Sequence, residues 1–563
     1  MKIDTNKNLL LTFLIAFLFF IVLIAKAPVR NIMEVRNFRA AEEILEKDSW
    51  LFPTLNDIPR VVKPPLPTWT SALFAKIYGD TRNVFVLRLP NLFVGLLLVW
   101  FVFMMAKDIS GRKSAFFSIW ILITSFPLIG EIFVSRWDLF ATAFGMGSLW
   151  SLCRVFQRKK VGYFFLSLVF FVASCMSKGP ILLLLYVPFF LALGIARRNK
   201  TQEDSSFLSW DFFPTGLKQW AVFSLLMILG IIIGHSWWFA SQIYYPGTWN
   251  TVSSDIKSLP VKHSEPFYYY FIQLPALMAP WSLICLLALA FLARWAYCHF
   301  WNKKYIDSFM PGNKALLFSF LWFCIGLFLL SCFGAKKNRY FFPLAPSCCI
   351  FLGIFCDFLF SNQSIFQKDR FLRYALILQA WLNRIFLCIL PVSVFIMVAY
   401  GTSWYYIFPA ILFSVAGFAW KLKEYELTKI LVYFCLTIVS STIFFFSALD
   451  STEAFKDAYD GAYKIKEITR DFPLYVFKKL DDELLWVMGR NYIYLWDISI
   501  LKPAIGTFIL SEQKKEDALL SLLKEKRISV QKVYFFLEYS KKEKIVWNLF
   551  VIENIIEDTS KSQ

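Results

Sequence analysis

Acidic and basic side chains gather where long apolar runs of this sequence end. Glu34, Arg36, Lys63, Glu131, Arg136, Asp138, Lys178, His263, Lys336, Lys337 and Arg339 all fall at such ends. An ionisable group inside or beside a bilayer is costly, so it carries a functional hypothesis by default. Two acids near several bases suit chemistry on a phosphate-linked sugar. Bases, or a metal, neutralise the leaving phosphate, and a carboxylate takes the acceptor's proton or holds the metal. The competing explanation is topological: charges at helix ends mark the interface. Asp138 weighs against it, because an unneeded carboxylate there would face a low-dielectric boundary.

The stretch that must position these groups first is the loop from Pro28 to Leu89. Its run from Val35 to Leu45 has no helix breaker and sets Phe38, Ala41 and Leu45 on one helical face. Pro64, Pro65 and Pro67 then stiffen an extended segment. Trp69 to Ile77 can lie helically at the bilayer interface. A loop of this length with structure of its own usually carries function.

The apolar runs themselves define the class. The chain is 58% hydrophobic and 19% aromatic, with a mean hydropathy of +0.54, far above a soluble domain. Runs near the length a bilayer needs predict about thirteen spans: 8–27, 89–106, 114–133, 138–156, 162–177, 180–196, 219–240, 279–299, 314–333, 343–361, 385–402, 404–420 and 428–447. Asn8–Ala27 reads as a retained helix, because no small-residue cleavage site follows it. Residues 363–383 read instead as an interfacial amphipathic helix ending near Arg384, which avoids burying that charge mid-bilayer. Basic clusters at Lys107/Arg112/Lys113, Arg158/Lys159/Lys160 and Arg197/Arg198/Lys200 put the N-terminus inside, although Lys63, Arg136, Lys178, Lys336, Lys337 and Arg339 in the outer loops break the simple pattern. An odd number of spans then puts the C-terminus outside.

Residues 451–563 change character. They carry 18 basic and 18 acidic side chains, so the whole net charge of +19 lies before them. That excess suits anionic headgroups or a phosphate-bearing substrate, and its scatter among apolar runs argues against nucleic acid. The tail predicts a small α/β domain, with strands at Leu484–Met488, Tyr492–Trp496, Gly506–Leu510, Val530–Leu537 and Ile545–Ile552. Ser511–Lys526 reads as a helix capped by Ser511. No nucleotide loop appears, so no nucleotide cofactor is expected. All 11 cysteines lie between Cys153 and Cys435, mostly in apolar runs, and predict no structural disulfide.

A set of short motifs gives a resemblance. In order they are Glu34-Val35-Arg36, Trp50-Leu51-Phe52-Pro53, Lys63-Pro64-Pro65, Ser135-Arg136-Trp137-Asp138, Ser177-Lys178-Gly179-Pro180, Pro266-Phe267-Tyr268-Tyr269-Tyr270, Pro280-Trp281 and Ala335-Lys336-Lys337-Asn338-Arg339-Tyr340 before Pro343. Together they resemble the bacterial branch of the protein O-mannosyltransferase superfamily, which includes the aminoarabinose transferases of lipid A. Those are GT-C class membrane glycosyltransferases that use polyprenyl-phosphate sugars. Two positions depart from that pattern. The aminoarabinose transferases begin the first-loop motif with Asp-Glu, where this chain has Met33-Glu34, and Val62 stands where they carry an acid before Lys-Pro. Glu34 is not an automatic substitute, since adjacent helical positions point about 100° apart.

The resemblance implies a polytopic α-helical membrane protein of GT-C type, with residues 1–450 as the transmembrane domain, 28–88 as its periplasmic loop and 451–563 as a periplasmic α/β domain. The implied activity is sugar transfer from a polyprenyl-phosphate carrier to a lipid A, envelope glycolipid or protein acceptor at the inner membrane. The sugar would be 4-amino-4-deoxy-L-arabinose, mannose or a similar one. Asp138 and Glu34 are the expected catalytic or metal-binding carboxylates, with His263 a candidate third ligand if a divalent ion takes part. Arg36, Lys63, Arg136, Lys178, Lys336, Arg339 and Tyr340 are the expected substrate-binding residues. A lipid-linked sugar flippase and a non-catalytic protein of the same fold are the alternatives. The first would need polar residues along a path near the bilayer midplane, whereas these cluster on one face.

Overall fold

The computed structural model describes residues 5–26, 29, 32–179, 181–198, 216–262, 264–301, 314–361, 370–399, 404–419, 454–470, 472–477, 480, 482–539 and 544–555. In chain order the helices begin with α1 (Thr5–Lys26), α2 (Ile32–Lys47), α3 (Leu66–Tyr78), α4 (Val84–Ser110), α5 (Arg112–Ile123), α6 (Phe126–Phe133) and α7 (Trp137–Arg158). There follow α8 (Val161–Cys175), α9 (Ile181–Arg198), α10 (Leu217–Tyr244), α11 (Thr248–Lys262), α12 (Tyr269–Leu277) and α13 (Ser282–Trp301). The later ones are α14 (Lys314–Cys332), α15 (Ala345–Ser361), α16 (Arg370–Ala399), α17 (Ile407–Ala419), α18 (Ala454–Thr469), α19 (Asp482–Met488) and α20 (Glu516–Glu525). The chain forms two units: Met1–Ala27, Val61–Ser393 and Ile407–Phe444 in one, Pro28–Arg60, Val394–Tyr406 and Phe445–Gln563 in the other.

The first unit is helical. Among the described residues six helices are long and apolar enough to cross a membrane, or seven if α5 and α6 form one bent span, and four further helices hold shorter apolar stretches. The expected span 428–447 lies outside the described residues. The expected single span 114–133 is two helices meeting at 52°. Ser125 adopts an extended conformation there and Pro127 opens α6, and a proline cannot donate the hydrogen bond that would continue α5. The expected break near Arg384 is absent. α16 runs unbroken from Arg370 to Ala399, because no glycine or proline precedes Pro391, and the Arg384 guanidinium lies 5.4 Å from the Trp381 ring centroid.

α4 and α7 form the frame that carries the site. They run parallel: Asn91 meets Ser135 at their starts, and Asp108 accepts from Trp150 and Arg154 near their ends. Close approach depends on two glycines of α7. A Cβ on Gly145 would come within 2.5 Å of Leu185, and one on Gly147 within 2.5 Å of Phe101. Ser148 then bonds to Ser167 of α8 and, at 2.7 Å, to Tyr186 of α9. Small residues and buried hydroxyls are what joins helices where water gives no hydrophobic drive.

The second unit is a five-stranded mixed sheet with helices. The strands β3 (Leu474–Phe477), β4 (Ile493–Leu495), β5 (Phe508–Glu512), β6 (Ile528–Tyr539) and β7 (Lys544–Ile555) lie in the order β4-β3-β5-β7-β6. β3 is parallel to both neighbours and the other pairs are antiparallel. Two expectations for this region are corrected. Leu484–Met488 lies in helix α19 rather than a strand, since a short apolar run fits either state by pattern alone. Ser511 lies in β5, and Lys515 occupies the N-cap of α20.

The first-loop helix α2 and the small hairpin β1 (Thr54–Leu55) and β2 (Ile58–Pro59) belong to this same unit. Phe38 packs 5.6 Å from Trp486, centroid to centroid. Buried Arg39 donates to Glu42 at 2.6 Å and to Asn491 at 2.7 Å. Fully buried Glu43 accepts from the Asn56 amide at 2.7 Å and the Thr54 hydroxyl at 2.6 Å, and pairs with Arg39 and Lys47. Asn56 and Tyr492 exchange two further hydrogen bonds.

Candidate active site

The site grows from the start of α7. Ser135 takes a left-handed backbone conformation, with φ of +51°, which turns the chain from α6 into α7 and is uncommon for a residue with a side chain. Its hydroxyl is held by Asn91 at 2.7 Å. Asp138 therefore sits in the first turn of α7, where a helix favours negative charge. It is only 4% exposed. A buried carboxylate needs a partner, and Lys178, just past α8, supplies one at 2.5 Å from Oδ1.

Lys178 has a second neighbour. Its Nζ lies 5.0 Å from the Tyr340 ring centroid, and the Arg339 guanidinium lies 5.5 Å from the same ring, both within reach of a cation–π attraction. The segment Lys336–Tyr340 enters the 3-10 helix Asn338–Leu344, and it is pinned from α12. Buried Tyr270 donates to the Lys337 carbonyl at 3.0 Å and accepts from the Lys337 amide at 3.1 Å. Tyr269 donates to Asn338 at 2.7 Å. Burial, then repulsion by Arg339 and Lys178, holds the Lys337 ammonium below the usual lysine range, with Asp255 acting in the opposite sense. Asp138, Lys178, Arg339 and Tyr340 thus form one cluster with Lys337 beside it.

The other expected residues sit as follows. Lys63 lies 3.7 Å from Asp255 of α11, and Trp238 of α10 donates to the Val61 carbonyl at 3.2 Å, close to it in sequence. Arg136 pairs with Glu131 of α6 at 3.0 Å. Lys336 is buried and donates to the carbonyls of Glu265 at 2.9 Å and Phe333 at 2.7 Å, bracing the segment before Lys337. Glu34 and Arg36 stand on α2 in the second unit. Glu34 is buried, and the Arg36 carbonyl accepts from Arg60 at 2.9 Å. His263 lies outside the described residues. Sequence reasoning did not foresee Asp255, whose one signal is an acid in the short polar stretch between two apolar runs. It named Glu131 without seeing that it is the Arg136 counter-ion.

Among the described residues no three His, Cys, Asp or Glu side chains converge as ligands. Asp138 already faces an ammonium, and Val62 offers no donor. The described residues therefore do not make a metal site.

A family model described as dolichyl-phosphate-mannose-protein mannosyltransferase matches residues 62–209, which hold Lys63, Asp138 and Lys178. A protein of Aquifex aeolicus is 25% identical over 395 residues, covering 69% of this chain and 68% of that one. An undecaprenyl phosphate-alpha-4-amino-4-deoxy-L-arabinose arabinosyl transferase of Shewanella sediminis is 22% identical over 347 residues, and the chain spans a little over half of its length, 56%. The crystal structure of ArnT from Cupriavidus metallidurans bound to undecaprenyl phosphate superposes with a TM-score of 0.66 at 14% identity, over 96% of this chain and 98% of that one. That likeness is one of fold, and it covers both units. Over residues 62–209 the chain is thus similar in sequence to a mannosyltransferase family, and in fold it is similar to ArnT.

Proposed function

We propose that the chain moves a sugar from a polyprenyl-phosphate carrier to an acceptor at the outer face of the inner membrane, with its N-terminus cytoplasmic and residues 451–563 periplasmic. The observation that carries this reading is the pair of buried Asp138 and partly exposed Lys178 beside Arg339, Tyr340 and Lys337. The Shewanella relative and the ArnT complex support the donor class, since both are named for undecaprenyl phosphate. In this reading Asp138 accepts the proton of the acceptor's nucleophile as that atom attacks the anomeric carbon. The carbon–oxygen bond to the carrier breaks and its electron pair leaves with the phosphate. Lys178, Lys63, Lys337 and Arg339 stabilise the charge that develops there, each charge-assisted contact contributing about 1.5–3 kcal/mol. A single displacement inverts the anomeric centre. On α2, in the second unit, Glu34 is a further proposed carboxylate and Arg36 a proposed partner for it or for the donor. The candidate sugars are 4-amino-4-deoxy-L-arabinose and mannose, and the candidate acceptors are lipid A, another envelope glycolipid or a protein.

The test is purified protein incubated with a panel of polyprenyl-phosphate sugars, with release of polyprenyl phosphate as readout. Mass spectrometry of envelope lipids and proteins from a deletion strain identifies the acceptor. Carrier lipid moved across vesicles with no sugar transferred would overturn the reading in favour of a flippase.

A further inference from the structure

One acid in the first unit faces the basic cluster from outside the motifs. Asp255 sits on α11, which follows α10 through a turn at Gly247, where φ is +101°. Its Oδ2 lies 3.7 Å from Lys63 Nζ, and both side chains stay partly open to solvent. Its field also reaches Lys337, where it counters the repulsion of Arg339 and Lys178. Lys63 and Lys337 come from segments more than 270 residues apart in sequence, yet one carboxylate acts on both. Asp138 is buried against Lys178, whereas Asp255 is half-exposed and its contact with Lys63 is long. It is placed to be exchanged rather than kept.

We propose that Asp255 is the resident counter-ion of the phosphate site, an exchangeable carboxylate that neutralises Lys63 and Lys337 until a lipid phosphate displaces it. This deepens the donor reading above and rests on it. The charge balance gives it a role in turnover. A carrier phosphodiester carries one negative charge, while the phosphate monoester left after transfer carries nearly two at neutral pH. Once displaced, the Asp255 carboxylate stays tethered nearby and repels the monoester more than the diester, so its return to Lys63 favours release of the spent carrier.

The test measures binding of farnesyl phosphate, farnesol and inorganic phosphate to the full-length wild type, Asp255→Asn, Asp255→Glu and Lys63→Ala in detergent micelles. The wild type should bind farnesyl phosphate well above farnesol or inorganic phosphate, and Lys63→Ala should lose that preference. Asp255→Asn should bind farnesyl phosphate roughly three-fold tighter, the size expected for a partly exposed ion pair, with farnesol unchanged. The gain should shrink as salt is raised, and Asp255→Glu should match the wild type. If the wild type shows no preference for the phosphate, the donor site and the role of Asp255 both fall. If the wild type shows the preference but Asp255→Asn binds equally or more weakly, Asp255 instead positions Lys63, and only this inference is overturned.

Discussion

At the scale of single residues, the chemistry turns on whether the Asp138 carboxylate is needed as a charge. Asp138→Asn keeps its shape and much of its hydrogen bonding but cannot take a proton. Activity should fall by orders of magnitude in a folded protein that still binds donor lipid. Glu34→Gln should be comparably damaging if Glu34 covers for the acid missing at Met33, and Met33→Asp should then be tolerated. Full transfer activity in both Asp138→Asn and Glu34→Gln would sink the carboxylate assignment. Lys337 gives a pH prediction with a definite sign. Its ammonium faces Arg339, Lys178 and Asp255, and its affinity for a proton is below that of an ordinary lysine. Donor binding should therefore fall on the alkaline side, before a typical lysine titrates. Lys337→Arg stays charged and should carry binding to higher pH; an unmoved alkaline arm would remove Lys337 from the site. The motifs around Asp138 and Lys178 were legible in the sequence, but their pairing was not. The two lie 40 positions apart, one in α7 and the other past the end of α8, and no local rule links them. Asp255 was illegible for the same reason, since Lys63 and Lys337, which it faces, are far from it in sequence.

At the scale of elements, α2 shows how a loop helix is fixed. Its apolar face was read from spacing, and Phe38 and Ala41 are indeed buried, although Ile44 is buried more deeply than Leu45. What spacing could not show is the polar clasp. Glu43 is fully buried and accepts from the β1–β2 hairpin while pairing with two cations. Glu43→Gln removes the charge and turns one acceptor into a donor facing backbone amides. Breaking a buried ion network in this way costs about 3–5 kcal/mol. The variant should melt earlier in detergent, and limited proteolysis should cut first within residues 48–60. Wild-type melting and cutting would show that apolar packing on α19, not the clasp, holds the hairpin. The strands of the tail were partly legible, because β6 and β7 are long. β3 was missed: four residues after Pro473, fully buried between two parallel neighbours, give no alternation to detect.

At the scale of the whole molecule, the uneven charge and the direction of α4 and α7 make one argument. Both helices start at the site end, where Asn91 holds Ser135 just before Asp138. Both finish beside the basic residues Lys107, Arg112, Arg158, Lys159 and Lys160. α7 has 22 residues, which at 1.5 Å per residue is about 33 Å, a bilayer core. One end therefore carries a run of basic residues of the kind that favours a cytoplasmic face, and the other carries the candidate site with its own bases. If that run marks the inside, the Asp138 cluster must open on the outer face, where a carrier-linked sugar and an envelope acceptor can meet. A reporter fused after Lys200 should then register the cytoplasm, and one fused after Lys561 the periplasm. The same experiment tests the span count, since an even number of crossings would bring the tail back inside. A cytoplasmic signal after Lys561 with a periplasmic one after Lys200 would invert the protein and put Asp138 and Lys178 on the wrong side for every acceptor considered above. A cytoplasmic signal at both positions would keep the site outside and remove one crossing from the segment after Lys200.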